Sequence, residues 1–150
     1  MRILVIDTGS SSVKFDVFDM ETGEECFSSK IERVAHIEDA LASVPAALAK
    51  AGQERFDAIG HRTPHGGERF RDAIVIDGTV VVGIEACVSL APLHNPPALL
   101  GIAMASHTWP NLPQVAVFDT AFHRTMPECA TTYAVPSNWR RAGVQRYGFH

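Results

Sequence analysis

The sequence predicts an α/β domain, a mixed sheet that begins as a meander of strands and carries helices on its flanks. Three observations predict it. Apolar runs of strand length recur from the second residue onward, two later stretches repeat their apolar residues at helical spacing, and three strands precede an alternation of helix and strand. With 150 residues, 46% hydrophobic and 20% charged, the chain has the apolar content for one domain with a sizeable core, and its composition is not that of a disordered chain.

Residues 2–7 (RILVID) form a continuous apolar run that ends in a Thr-Gly turn, the pattern of a fully buried strand. Residues 13–18 (VKFDVF) alternate, with Val13, Phe15 and Val17 on one side, so the two runs read as a hairpin closed by Ser10 to Ser12. A turn signal in METGEE precedes a third strand over 25–33. Ile37, Ala40, Leu41, Val44 and Leu48 then follow helical spacing up to Gly52, which stands where a C-cap belongs. Pro45 lies inside that helix and predicts a kink or a break. Further strands are expected over 56–60, 73–77 and 114–119, and a helix over 79–90. A second helix is expected from Asn95, with Asn95 as N-cap and Pro96 at the first helical position.

The charge balance narrows the partners. Thirteen basic against seventeen acidic residues give a net charge of −4, which argues against a nucleic-acid surface while leaving room for a small anion held by local cations. The first residues hold too short an apolar run for a signal peptide or a membrane span. Three scattered cysteines without a CxxC pair suggest neither a zinc motif nor a disulfide framework. The expectation is a soluble, cytoplasmic protein with reduced thiols.

Four polar stretches stand at predicted strand or helix ends. GSSSVK offers backbone N–H groups, three hydroxyls and the Lys14 ammonium in one short loop, a set that suits phosphate oxygens, although a Ser-rich hairpin turn has the same composition. It is not a Walker A loop, because GxxxxGK[ST] is absent. HRTPHGGERF places Arg62 after a strand, where its fork of donors suits a carboxylate or phosphate, or only an ion pair within a turn; its two glycines permit unusual backbone angles. APLHNPP sets His94 beside a helix N-terminus, to meet an anion or to lock the turn. VFDTAFH puts Asp119 at the end of a buried strand, where open α/β sheets place their ligand crevice and where a helix cap also belongs.

The element order suits the ribonuclease-H-like half of actin and Hsp70-type ATPases. DTGSSSVKF, GHRTPHGGERF, APLHNPPALLGI, VAVFDTAFHRTMPE and GVQRYGFH, in this order, resemble the acetate kinase family, which includes propionate kinases. The resemblance implies the N-terminal domain of the acetate and sugar kinase, Hsp70 and actin superfamily over residues 1–150. It also implies reversible transfer of the ATP γ-phosphoryl group to acetate, giving acetyl phosphate and ADP, with Mg²⁺ or Mn²⁺ as cofactor.

Carried over by motif, Lys14, Ser10 and Ser12 would lie at the ATP phosphates and Asp7 near the metal. Arg62 would hold the carboxylate or the transferring phosphoryl group. Asp119 would be the family's essential acidic residue, and His94 and His150 would contact the phosphoryl group in flight. Pro64, Leu93 and Phe149 would wall the methyl pocket. Three residues depart from the family pattern: Asp7 stands where an asparagine is usual, and Thr63-Pro64 replaces an aliphatic pair.

The resemblance further implies a homodimer for full-length members and no nucleic acid or membrane partner. It leads us to expect a truncated chain that lacks the C-terminal nucleotide-binding domain and is inactive alone. A propionate kinase, or a non-catalytic ligand-binding or association domain derived from such an enzyme, fits the same residues. PLHNP and FDTAFH argue against a sugar kinase or an Hsp70-type ATPase.

Overall fold

The computed structural model describes residues 1–149, so His150 lies outside the described residues. Strand β1 (Arg2–Thr8) pairs antiparallel with β2 (Ser12–Asp19), and β2 pairs antiparallel with β3 (Glu24–Glu32), as the meander predicts. The hairpin turn is tight, with Gly9 N–H donating to the Ser12 carbonyl at 2.8 Å. Helix α1 (Ile37–Lys50) leads to β4 (Ala58–Thr63), a short β5 (Ile74–Val75), α2 (Gly78–Ala86), α3 (Asn95–Thr108) and β6 (Gln114–Phe118). Three short helices follow, α4 (Asp119–Phe122), α5 (Glu128–Thr131) and α6 (Ser137–Arg141). The sheet order is β3-β2-β1-β4-β6-β5, with the central β1-β4 and β4-β6 pairs parallel.

One face of the sheet is covered. Leu4, Ile6, Val13, Phe15, Val17 and Ile59 pack under α1, whose buried stripe of Ala40, Leu41, Val44 and Leu48 faces them together with Ala105 of α3. A second cluster joins Ile102 of α3 to Val80 and Ile84 of α2, Ala116 and Phe118 of β6, and Phe70. Gly101 allows α3 to press onto β1, because a Cβ there would come within 2.6 Å of the buried Thr8 hydroxyl. The opposite face presents Val5, Gly60 and Val117, and Val117 is 52% exposed, so the sheet is open on that side.

Several expectations need correction. Helix α1 runs unbroken through Pro45, since tertiary burial of its apolar stripe outweighs one lost backbone bond. Its end is as expected: Gly52 takes φ +68 and donates to the Ala49 carbonyl, while Gln53 N–H reaches Leu48. The strand expected over 56–60 is shifted to 58–63, because polar His61 and Thr63 are themselves core residues. That expected over 73–77 shrinks to Ile74–Val75 on the sheet edge. Helix 79–90 spans only 78–86, capped by Asp77, whose carboxylate accepts from Val80 N–H at 2.9 Å. Strand 114–119 stops at Phe118.

Asn95 is not an N-cap. It is the first residue of α3, fully buried, and its side chain bridges outward. Asn95 Oδ1 accepts from His65 N–H at 3.1 Å, and Nδ2 donates to the His65 and Ile84 carbonyls at 3.0 and 3.3 Å.

Candidate functional site

The open face carries a row of charges at one end of the sheet. Strand alternation puts Asp7 opposite the face that buries Ile6 and Thr8, and the antiparallel register sets Asp7 against Lys14. Strand β4 lies on the other side of β1 and projects Arg62 to the same face; β6 lies beyond it, and Asp119 follows as the first residue of α4. The open end of the parallel strands β1, β4 and β6 thus gathers residues that are far apart in sequence.

Arg62 is the centre of this row. Its Nε donates to Asp119 Oδ1 at 2.9 Å and its Nη2 to Asp119 Oδ2 at 2.8 Å, the two-pronged geometry that a planar guanidinium favours. Nη1 donates to Asp7 Oδ2 at 3.1 Å. Asp119 is the most enclosed of the three, with 14% of its side chain exposed against 40% for Arg62 and 37% for Asp7. The Asp119 hydrogen bonds, seconded by Asp7 and opposed by burial, raise the guanidinium's hold on its proton further still. Asp119 follows the N-cap Phe118 as the first residue of α4, and its carboxylate pairs with Arg62.

Lys14 stands one strand beyond Asp7. Its Nζ pairs with Asp16 Oδ2 at 2.9 Å, and Ser28 Oγ donates to Asp16 Oδ1 at 2.6 Å. The Asp16 hydrogen bond is the largest reason that the Lys14 ammonium is held above its ordinary range. Asp16 stands in no site motif of the sequence, although its place two residues after Lys14 puts both on one strand face. Ser10 is exposed at the hairpin tip and Ser12 is half-buried where β2 begins.

Two hollows are lined by candidate residues. The first, about 640 Å³, is lined by Val5, Gly60, Arg62, Val117, Asp119 and Phe122 on the open face. The second, about 420 Å³, is lined by Leu93, His94 and Phe149 with His65 and Tyr147. The His94 and Phe149 rings lie 5.6 Å apart at 49°, and the His65 ring meets the Tyr147 ring edge-on at 4.5 Å. Buried Pro64 follows Arg62 along the chain, its carbonyl accepting from Thr120 N–H at 3.3 Å. Gly66 N–H donates to Thr120 Oγ1 at 3.0 Å, and Asn95 fixes His65, so the loop after β4 is tied to both α3 and α4. Of the glycine pair, only Gly67 takes a positive φ, at 61°; Gly66 is needed for space, since its Cβ would meet the Phe118 and Phe70 side chains within 2.9 Å.

The structure therefore brings Asp7, Arg62 and Asp119 into direct contact, places Lys14 on the neighbouring strand, and sets Leu93, His94 and Phe149 around a second hollow. His61 turns the other way, into the core, where its ring shares a 2.8 Å hydrogen bond with Gln114 Oε1 and burial pushes its imidazole down to about 4. Among the described residues no cluster of three or more His, Cys, Asp or Glu is placed to cage a metal. Mg²⁺ needs no such cage, since it takes one or two carboxylates together with water and substrate phosphates, and the hard oxygens of Asp7 fit that demand. No helix among the described residues is long and apolar enough to cross a membrane.

Comparison with known proteins gives a consistent picture. A family model described as the acetokinase family matches residues 34–150. The acetate kinase of Pseudarthrobacter chlorophenolicus is 45% identical over the whole of this chain, and that of Shewanella loihica 42% over 99% of it. The alignments cover only 43% and 44% of those relatives, so the chain spans less than half their length. Among solved structures, Porphyromonas gingivalis acetate kinase superposes with a TM-score of 0.88 at 34% identity, over 99% of this chain and 45% of that one. A propionate kinase from Francisella tularensis gives 0.87 at 34%, with the same coverage.

Proposed function

The chain belongs to the acetokinase family, and from that premise we propose that it forms the N-terminal domain of a phosphotransferase that passes the ATP γ-phosphoryl group to acetate and runs the reverse. An acetate oxygen attacks the γ-phosphorus, the bond to the bridging oxygen of ADP breaks, and acetyl phosphate forms. The observation that carries this reading is the Arg62 fork, locked by both oxygens of Asp119 at the open ends of parallel strands.

Phosphoryl transfer asks for little covalent help from a protein, so positioning and positive or hydrogen-bond-donating groups around the equatorial oxygens carry the catalysis. In this reading Arg62 orients the carboxylate or the transferring group, and Asp119 fixes the plane of the guanidinium. His94 and His150 donate to the group in flight, His150 as charge builds. Lys14 with Ser10 and Ser12 meets the nucleotide phosphates. Mg²⁺ or Mn²⁺ bound near Asp7 would neutralise charge on those phosphates.

Pro64, Leu93 and Phe149 would wall the acetate methyl group. Propionate is a second substrate in this reading, since the F. tularensis propionate kinase and the P. gingivalis acetate kinase share the same 34% identity with this chain. One added methylene shifts pocket preference by only about 1–3 kcal/mol. The complete enzyme is expected to be a cytoplasmic homodimer without nucleic-acid or membrane partners. Spanning 43% of a relative, the 150 residues by themselves should show little or no turnover. A coupled acetyl-phosphate assay tests this on the chain alone and mixed with the remainder of a relative: turnover only in the mixture is expected, and turnover near that of a complete enzyme by the chain alone would refute it.

A further inference from the structure

His65 has no assigned part in the transfer, yet it is tightly fixed. Asn95 takes its backbone N–H at 3.1 Å and donates to its carbonyl at 3.0 Å, Gly67 N–H donates to its Nδ1 at 3.0 Å, and the Tyr147 ring meets its ring edge-on at 4.5 Å. A backbone amide can only donate, so Nδ1 is the unprotonated nitrogen and the proton of the neutral ring sits on Nε2. Burial holds the imidazole below its ordinary range, which keeps the ring neutral at pH 7. Nε2 itself has no hydrogen-bond partner among the described residues, and it is not one of the two buried side-chain atoms left unpartnered there, Gln53 Oε1 and Thr63 Oγ1, so it reaches solvent. The opening is the hollow of about 420 Å³, which the otherwise buried His65 lines together with Leu90, Ala91, Leu93, His94 and Phe149.

We propose that the Nε2–H of His65 is a substrate-binding donor of the acceptor pocket, directed at the acyl oxygen of acetyl phosphate and at the corresponding carboxylate oxygen of acetate. The inference rests on the reading of this hollow as the acetate pocket. Leu93 and Phe149 can shelter the methyl group but offer its carbonyl oxygen no side-chain hydrogen bond, and a neutral N–H suits an oxygen that carries no charge in acetyl phosphate. Because Asn95, Gly67 and Tyr147 fix the ring beforehand, the donor needs no rearrangement when the substrate arrives.

Two variants separate the two ring nitrogens. In His65→Asn the amide oxygen stands near the place of Nδ1 and can still accept from Gly67 N–H, but nothing replaces Nε2–H. In His65→Gln the longer side chain carries its amide donor towards the place of Nε2 and gives up the Gly67 bond. Calorimetric titration of the 150-residue chain with acetyl phosphate should find His65→Gln close to the parent and His65→Asn about tenfold weaker, the loss expected for one hydrogen bond. Binding by His65→Asn as tight as that by His65→Gln, or tighter, would reduce His65 to a support of the Gly67 turn and overturn the proposal while leaving the pocket in place. In the parent itself, ¹H–¹⁵N correlation spectra should show the His65 proton on Nε2 and its resonance shifted by acetyl phosphate. A proton on Nδ1, or a resonance that bound acetyl phosphate leaves in place, would likewise overturn it. A parent chain that does not bind acetyl phosphate would remove the reading of the hollow, and this proposal with it.

Discussion

Lowering the pH from 7 to 5 should cost the folded chain about 2 kcal/mol through His61 alone. The ring is only 2% exposed and bonded to Gln114, and burial moves its imidazole from the ordinary 6.5 down to about 4. In the unfolded chain the same residue takes up a proton below about 6.5. Between those two values the unfolded state therefore binds more protons, so stability rises with pH; the contribution is complete above about 6.5 and is lost as the pH falls towards 4. At ~1.4 kcal/mol for each pH decade the full linkage is about 3.5 kcal/mol, of which a little over half falls between pH 7 and 5.

Urea unfolding at both pH values, for the parent and for His61→Gln, reads this difference. Glutamine can still bond to Gln114 but has no proton to gain, and contributions from carboxylates and from His65, whose imidazole burial also lowers, act in both proteins and cancel. The parent should lose about 2 kcal/mol more than the variant on acidification. An equal loss in both would refute the argument.

Other substitutions probe how the site is supported. Gly101→Ala forces a Cβ to within 2.6 Å of Thr8 Oγ1; the overpacking outweighs the helix-propensity gain, for a net loss of about 1 kcal/mol in denaturant unfolding. Asn95→Ala removes three buried hydrogen bonds that tie the β4 loop to α2 and α3, and should cost about 2–4 kcal/mol by the same assay. Thr63 Oγ1 is buried without a hydrogen-bond partner among the described residues, so the near-isosteric Thr63→Val should stabilise the fold by about 1 kcal/mol, seen as a raised Tm.

The hairpin was legible in the sequence because β2 alternates cleanly, and α1 because its apolar stripe and Gly52 cap agree. Strand β4 was less so: its core-facing residues include His61 and Thr63, whose polarity hides their burial from any hydropathy pattern, and the Gln114 partner that satisfies His61 lies 53 residues away. Asn95 carries the same lesson. A residue type suited to capping was enlisted for a tertiary bridge that only the packing of three segments reveals. The candidate residues stand out in their motifs, yet the Arg62 pair with Asp119 spans 57 residues and depends on β4 lying between β1 and β6. The Asp7 contact depends on that same strand order, and local sequence carries no trace of it.

The reading of Arg62 as the anion fork of a phosphoryl-transfer site is tested most directly by calorimetric titration with acetyl phosphate, comparing the 150-residue chain with its Arg62→Lys variant. Lysine keeps the charge but cannot grip both Asp119 oxygens, so the parent should bind and the variant should bind at least about tenfold more weakly. Equal binding by the two proteins would contradict the account.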